Sequence, residues 1–79
     1  MNNKDVLKKL FIESLSIEKK DFTESLEYNS IPQWDSIGHM TLVAAIEEKF
    51  NITIDTDDIV DFSSFKKGVE ILKKYEITF

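Results

Sequence analysis

The chain has no cysteine, a single proline and only two glycines. Without cysteine, neither a disulfide framework nor a thiolate-ligated metal centre can hold the fold, and a hydrophobic core must do so. Basic residues are outnumbered, ten Lys and Arg against fifteen Asp and Glu, for a formal net charge of −5. That balance excludes the basic stripe by which nucleic-acid binders neutralise phosphates, and it favours a partner with a basic docking surface. Long apolar runs are missing as well. The amino terminus, MNNKDVLKKLF, is broken by charge every few residues, unlike a signal peptide or a membrane span. A cytoplasmic protein with no membrane association is expected. There is no internal repeat and no low-complexity tract. With 79 residues, 42% hydrophobic and 32% charged, the chain is expected to form one domain over 1–79, with little room for a deep catalytic cleft.

What is present is helical periodicity in four segments. In the first, Val6, Leu7, Leu10, Phe11 and Ser14 share a side, with Lys8 and Lys9 away from it. A polar connection, Ser16 to Gln33, follows; Pro32 biases Ile31 away from helical dihedrals and closes it. So long a connection in a small domain points to function, and Phe22, Leu26 and Ile31 are expected to pin it to the core. The second helix is predicted from Ser36 to about Phe50, with Asp35 as N-cap and Asn51 as its stop. Thr56 is the predicted cap of a short third helix carrying Asp57 and Asp58 in its first turn. Ser63 or Ser64 caps a last helix with Phe65, Val69, Leu72 and Tyr75 inward. Ile52 and Ile54 alternate over too short a run for a strand. The expected fold is all-α, a four-helix bundle with a short third helix.

Projected at 100° per residue, the second helix gathers His39, Leu42, Val43, Ile46 and Phe50 into one core-facing arc. Ile37, Met40 and Ala44 form a second, smaller apolar strip. It begins beside Ser36 and Thr41 and ends at Glu47 and Glu48. A helix that only covers a core is expected to be polar there. The strip either packs on another element or is a docking face with an acidic rim, which Asp55, Asp57, Asp58 and Asp61 could extend.

Ser36, in the stretch PQWDSIGHM, has three readings. It can be part of a helix start beside the Asp35 cap. It can be a nucleophile, since Asp35, Ser36 and His39 are the residue types of a hydrolase triad. That reading lacks a glycine-rich nucleophile elbow, and His39 projects toward the core, where a backbone or loop hydrogen bond explains it better. It can also be an attachment point, because a phosphodiester on its hydroxyl would sit at a helix amino terminus that favours anions. A small Ca²⁺ site at Asp55, Asp57 and Asp61 fails on pattern, lacking the loop glycine and having Lys66 where a bidentate glutamate belongs.

The stretch WDSIGHMTLVAAIEEKFNITIDTDDI resembles the acyl carrier protein family, small four-helix proteins carrying 4′-phosphopantetheine on the serine of an Asp-Ser-Leu motif. The likeness extends over nearly the whole chain, including its length, acidity and long first loop. It implies that Ser36 is the modified serine. It further implies that Asp35 is the aspartate that helps a phosphopantetheinyl transferase bind its metal ion. By the same resemblance Ile37, Met40 and Ala44 match positions that contact partners, and Glu47 and Glu48 match the acidic docking residues; the residues themselves add Thr41, Asp57 and Asp58 to the expected partner face. The protein would not be an enzyme; it would carry cargo as a thioester on the arm and present it to acyltransferase or synthase enzymes.

This sequence also departs from the family. Ile37 replaces the usual leucine, Trp34 stands where a small residue is common, and Gly38 and Thr41 occupy positions that are acidic in housekeeping fatty-acid carriers. Gly38 costs about 1 kcal/mol of helix propensity against alanine, and is expected to give an incoming partner room. These departures point to a carrier of a specialised biosynthetic pathway, loaded by an acyl- or aminoacyl-activating ligase, and a delivery protein is expected to work as a monomer. An aminoacyl or peptidyl carrier is the nearest alternative. An unmodified helical interaction module is the alternative of another class.

Overall fold

A computed structural model describes residues 2–79. Among these the chain forms four helices and no strand: α1 (Asn3–Ser14), α2 (Ser36–Phe50), α3 (Thr56–Asp61) and α4 (Phe65–Lys73). The expected all-α, four-helix fold with a short third member is the one observed. A single 3₁₀ turn, Lys19–Asp21, interrupts the long connection between α1 and α2.

The helix ends follow local chemistry. The Asn2 side chain caps α1 by accepting from the Asp5 amide, and Ser64 caps α4 by accepting from the Lys67 amide. Asn51 stops α2 in the left-handed conformation, with the Ile52 amide returning to the Glu47 carbonyl at 3.0 Å. Ser16 and Glu76 end α1 and α4 in the same left-handed way, so three helices close without glycine. One cap differs from expectation. Thr56 is the first helical residue of α3, and Asp55 holds the N-cap position without a side-chain cap bond. Its amide instead donates to the Tyr75 hydroxyl at 2.9 Å, which ties the start of α3 to the end of α4.

Phe11 is the centre of the core. Its ring meets Trp34 at 5.2 Å, Phe65 at 5.3 Å, Phe22 at 5.9 Å and Phe62 at 6.0 Å between centroids. Edge-on arrangements dominate, as ring quadrupoles favour. Leu7 from α1, Leu42, Val43 and Ile46 from α2, and Phe65, Ile71 and Leu72 from α4 complete the packing. The expected core arc of α2 is therefore the buried one, with His39 and Phe50 half-buried at its margins.

The long connection is fixed by backbone bonds as well as side chains. Leu26 is buried, and Phe22 and Ile31 pack against the core. The Tyr28 amide donates to the Ser63 carbonyl at 2.8 Å and the Phe65 amide to the Leu26 carbonyl at 3.0 Å. The connection thus lies against the α3–α4 junction and returns to α2 with a defined geometry. Gly68 lies under the Phe62 ring: a Cβ there would overlap Cζ and come within 2.6 Å of Cε1. That close approach seats the end of α3 firmly on α4.

Candidate functional site

The amino terminus of α2 is built by three consecutive residues with different tasks. Trp34 is completely buried and anchors the end of the connection in the core. Asp35 turns outward, and its Oδ1 accepts from the Gly38 amide at 2.8 Å. Ser36 is the first helical residue and is exposed. Its Oγ lies 3.2 Å from the Tyr28 hydroxyl, a contact in which either oxygen can donate. The helical ladder begins with the His39 amide on the Asp35 carbonyl, 2.8 Å away. The amides of Ser36 and Ile37 precede that ladder, at the positive end of the helix dipole. A solvent-facing hydroxyl beside unladdered amides suits a phosphodiester, so the residues present fit a covalently attached phosphate ester.

His39 is placed as a structural histidine. The Trp34 indole donates from Nε1 to His39 Nδ1 at 3.0 Å, and His39 Nε2 lies 2.9 Å from the Ile59 carbonyl. An indole N–H can only donate and a carbonyl can only accept, so Nδ1 accepts and Nε2 carries the hydrogen. Neither nitrogen is free to activate Ser36. A catalytic triad is not assembled here, and the backbone and loop bonds expected of this histidine are the ones found.

Beside Ser36 the second strip of α2 faces solvent. Ile37 is 78% exposed and Met40 57%, with Ala44 also exposed. Thr41 is exposed but turns its hydroxyl back to the Ile37 carbonyl at 3.1 Å. Val60 on α3, 76% exposed, is a further uncovered apolar residue that sequence reasoning did not single out.

The acidic rim is thinner than expected. Glu48 and Asp57 are exposed, while Glu47 is half-buried and its Oε2 accepts from the Ile54 amide at 2.8 Å. Asp58 does not belong to the rim: it is 8% exposed. Lys74 Nζ reaches its Oδ1 at 2.6 Å and the Tyr75 hydroxyl donates to its Oδ2 at 2.6 Å. The Lys74 bond, then the Tyr75 bond, hold the Asp58 carboxyl below the usual carboxylate range; the same contacts raise Lys74 and Tyr75. Gly38 also departs from expectation. A Cβ there would overlap the Gln33 carbonyl oxygen and lie 3.1 Å from Leu15 Cδ2. The space beside it is filled by the chain's own connection and offers a partner none.

An exposed serine on a capped helix tip, flanked by uncovered apolar residues in a small acidic bundle, suits a carrier-type domain. The sequence matches the family model for the phosphopantetheine attachment site over residues 5–72. It is also similar to an acyl carrier protein of Guillardia theta, 29% identical over 77 residues that cover 94% of this chain and 95% of that protein. The chain belongs to the acyl carrier protein family, whose covalently attached prosthetic group is 4′-phosphopantetheine. Such carriers are not themselves enzymes, and they interact with transferases and synthases. Among the described residues, no helix is long and apolar enough to cross a membrane.

Proposed function

We propose that Ser36 bears the 4′-phosphopantetheine arm, and that the chain presents an acyl intermediate to partner enzymes of a specialised biosynthetic pathway. The exposed Ser36 hydroxyl at the tip of α2, next to the uncovered Ile37, Met40 and Ala44, carries this reading. The arm supplies a thiol that holds cargo as a thioester; the protein supplies delivery and recognition. Asp35 fixes the helix start while remaining exposed for the phosphopantetheinyl transferase. Ile37, Met40, Thr41 and Ala44, joined by Val60, form the partner face. Glu48 and Asp57 are its leading charges, with Glu47 contributing its remaining oxygen. Partners with basic docking surfaces fit that face.

The sparse charge near Ser36 supports the specialised assignment. Gly38 and Thr41 bring no charge, and Asp58 is tied to Lys74 and Tyr75. Loading by an acyl- or aminoacyl-activating ligase, in the cytoplasm and as a monomer with its α2 face free, follows from this reading. Incubation with coenzyme A and a promiscuous phosphopantetheinyl transferase should add one phosphopantetheinyl mass, and Ser36→Ala should abolish it. Retention of that mass in the Ala variant would move the attachment elsewhere.

A further inference from the structure

Tyr28, His39, Ile59, Val60, Phe62 and Ser63 line an open cavity of about 230 Å³ at the seam between α2 and α3. It is smaller than the roughly 300–1,000 Å³ of ordinary small-molecule pockets. Tyr28, whose hydroxyl touches Ser36 Oγ, forms one wall, so the cavity lies beside the arm's root. Its inner boundary does not open into the core. Trp34 and Phe62 are buried there, and the His39 imidazole lies between them, stacked on Trp34 at 6.1 Å and edge-on to Phe62 at 5.9 Å.

We infer that the hydrogen-bonded chain Trp34–His39–Ile59 bolts this seam, making His39 a specificity-determining residue that keeps cargo outside the bundle. An acyl group of any length on the arm then stays outside the bundle. An apolar chain passing inward must displace the imidazole and separate two hydrogen bonds, one to the Trp34 indole and one to the Ile59 carbonyl. It offers neither a donor nor an acceptor in exchange, which leaves partly buried polar groups unpaired. Nor can α3 swing away freely, because Phe62 rests on the Cα of Gly68. The interior behind the bolt is filled by Phe11, Phe65, Leu42 and Ile46, and close-packed cores leave no slot for a methylene chain.

The inference rests on Ser36 as the attachment residue, and one experiment separates the two. Butanoyl-, octanoyl- and dodecanoyl-4′-phosphopantetheine are transferred by a promiscuous phosphopantetheinyl transferase from the corresponding acyl-coenzyme A, with 3′,5′-ADP as leaving group and loading verified by intact mass. The melting temperature of each form is then measured. Failure to load would sink the Ser36 reading and this one with it. Once loaded, a chain buried in the folded state alone would raise the melting temperature by roughly 3–6 °C per sequestered methylene. The expected result is three melting temperatures within about 2 °C of one another. His39→Ala, folded by circular dichroism, should acquire a rise with chain length. A rising series in the wild type overturns the closed seam, and a flat series in folded His39→Ala overturns the role of His39. The wild-type series decides the first point even if the variant does not fold.

Discussion

The Gln33 carbonyl oxygen stands directly over the Cα of Gly38, where a side chain of any kind would have to be. This contact joins the end of the long connection to the first turn of α2, and Trp34, Asp35, Ser36 and Ile37 lie between the two residues. The glycine has a helical φ, so conformational freedom is not its purpose. Closeness is. Gly38→Ala pits a propensity gain of about 1 kcal/mol against a backbone overlap, and overpacking of this kind costs about 1–3 kcal/mol. The expected outcome is a net loss of stability in urea unfolding, with slower transferase loading because Asp35 and Ser36 shift with the displaced carbonyl. Stabilisation by the alanine would show that the carbonyl yields easily.

The Asp58, Lys74 and Tyr75 cluster makes stability depend on pH at both extremes. Asp58 is lowered in the folded state, so its contribution is present above the ordinary carboxylate value of about 3.9 and is lost as pH falls through the folded value. Lys74 and Tyr75 are raised, so theirs is present below their ordinary values of about 10 and is lost as pH climbs through the folded ones. Asp58→Asn should therefore lower the melting temperature at neutral pH. The gap from wild type should close in acid below pH of about 3.9 and narrow above about 10. Thermal scans across that range measure it. A gap of constant size in acid would mean that the ionised carboxylate contributes nothing.

Much of this was legible in the sequence, for reasons that also mark where legibility stopped. The bounds of α2 followed from Pro32, Asp35 and Asn51, each acting on its own neighbours. The second apolar strip followed from helical projection over fifteen residues, whereas its exposure did not, because projection does not show what covers a face. Val60 was missed because α3 has six residues, too few for a face to emerge from periodicity. Asp58 was placed on the rim because its partners lie sixteen and seventeen positions away, beyond any local rule. Trp34 read as a departure from the family although it is a fully buried anchor, because no periodic pattern reports the direction of a side chain in a loop. The reason for Gly38 lay in a neighbouring strip of backbone, which composition does not display.

The uncovered apolar face yields a prediction about recognition without stability. Met40→Glu and Val60→Glu each place a charge on an exposed position, so unfolding free energies should stay within about 0.5 kcal/mol of wild type. If these residues meet incoming enzymes, the KM of a phosphopantetheinyl transferase for the carrier should rise about tenfold, with kcat held. Steady-state loading assays at varied carrier concentration separate the two constants. Unchanged KM in both variants would remove the face from the docking surface for that enzyme.

Trp34 offers the sharpest test of how the loop positions the serine, because it is the only tryptophan in the chain and reports its own environment. Its ring fills the core against Phe11, and its indole N–H holds His39. These two contributions separate by substitution. Trp34→Phe keeps an aromatic ring but deletes the donor, which leaves His39 Nδ1 without its partner and should cost about 1–3 kcal/mol. Trp34→Ala adds a cavity and should cost about 3–5 kcal/mol, a large share of the stability of a domain this small. Circular dichroism in urea ranks the variants, and wild-type fluorescence should shift to the red on unfolding as the buried indole meets water. Were Phe and Ala equally costly, the hydrogen bond to His39 would be the principal contribution. A Phe variant as stable as wild type would leave packing alone to hold Asp35 and Ser36 at the surface.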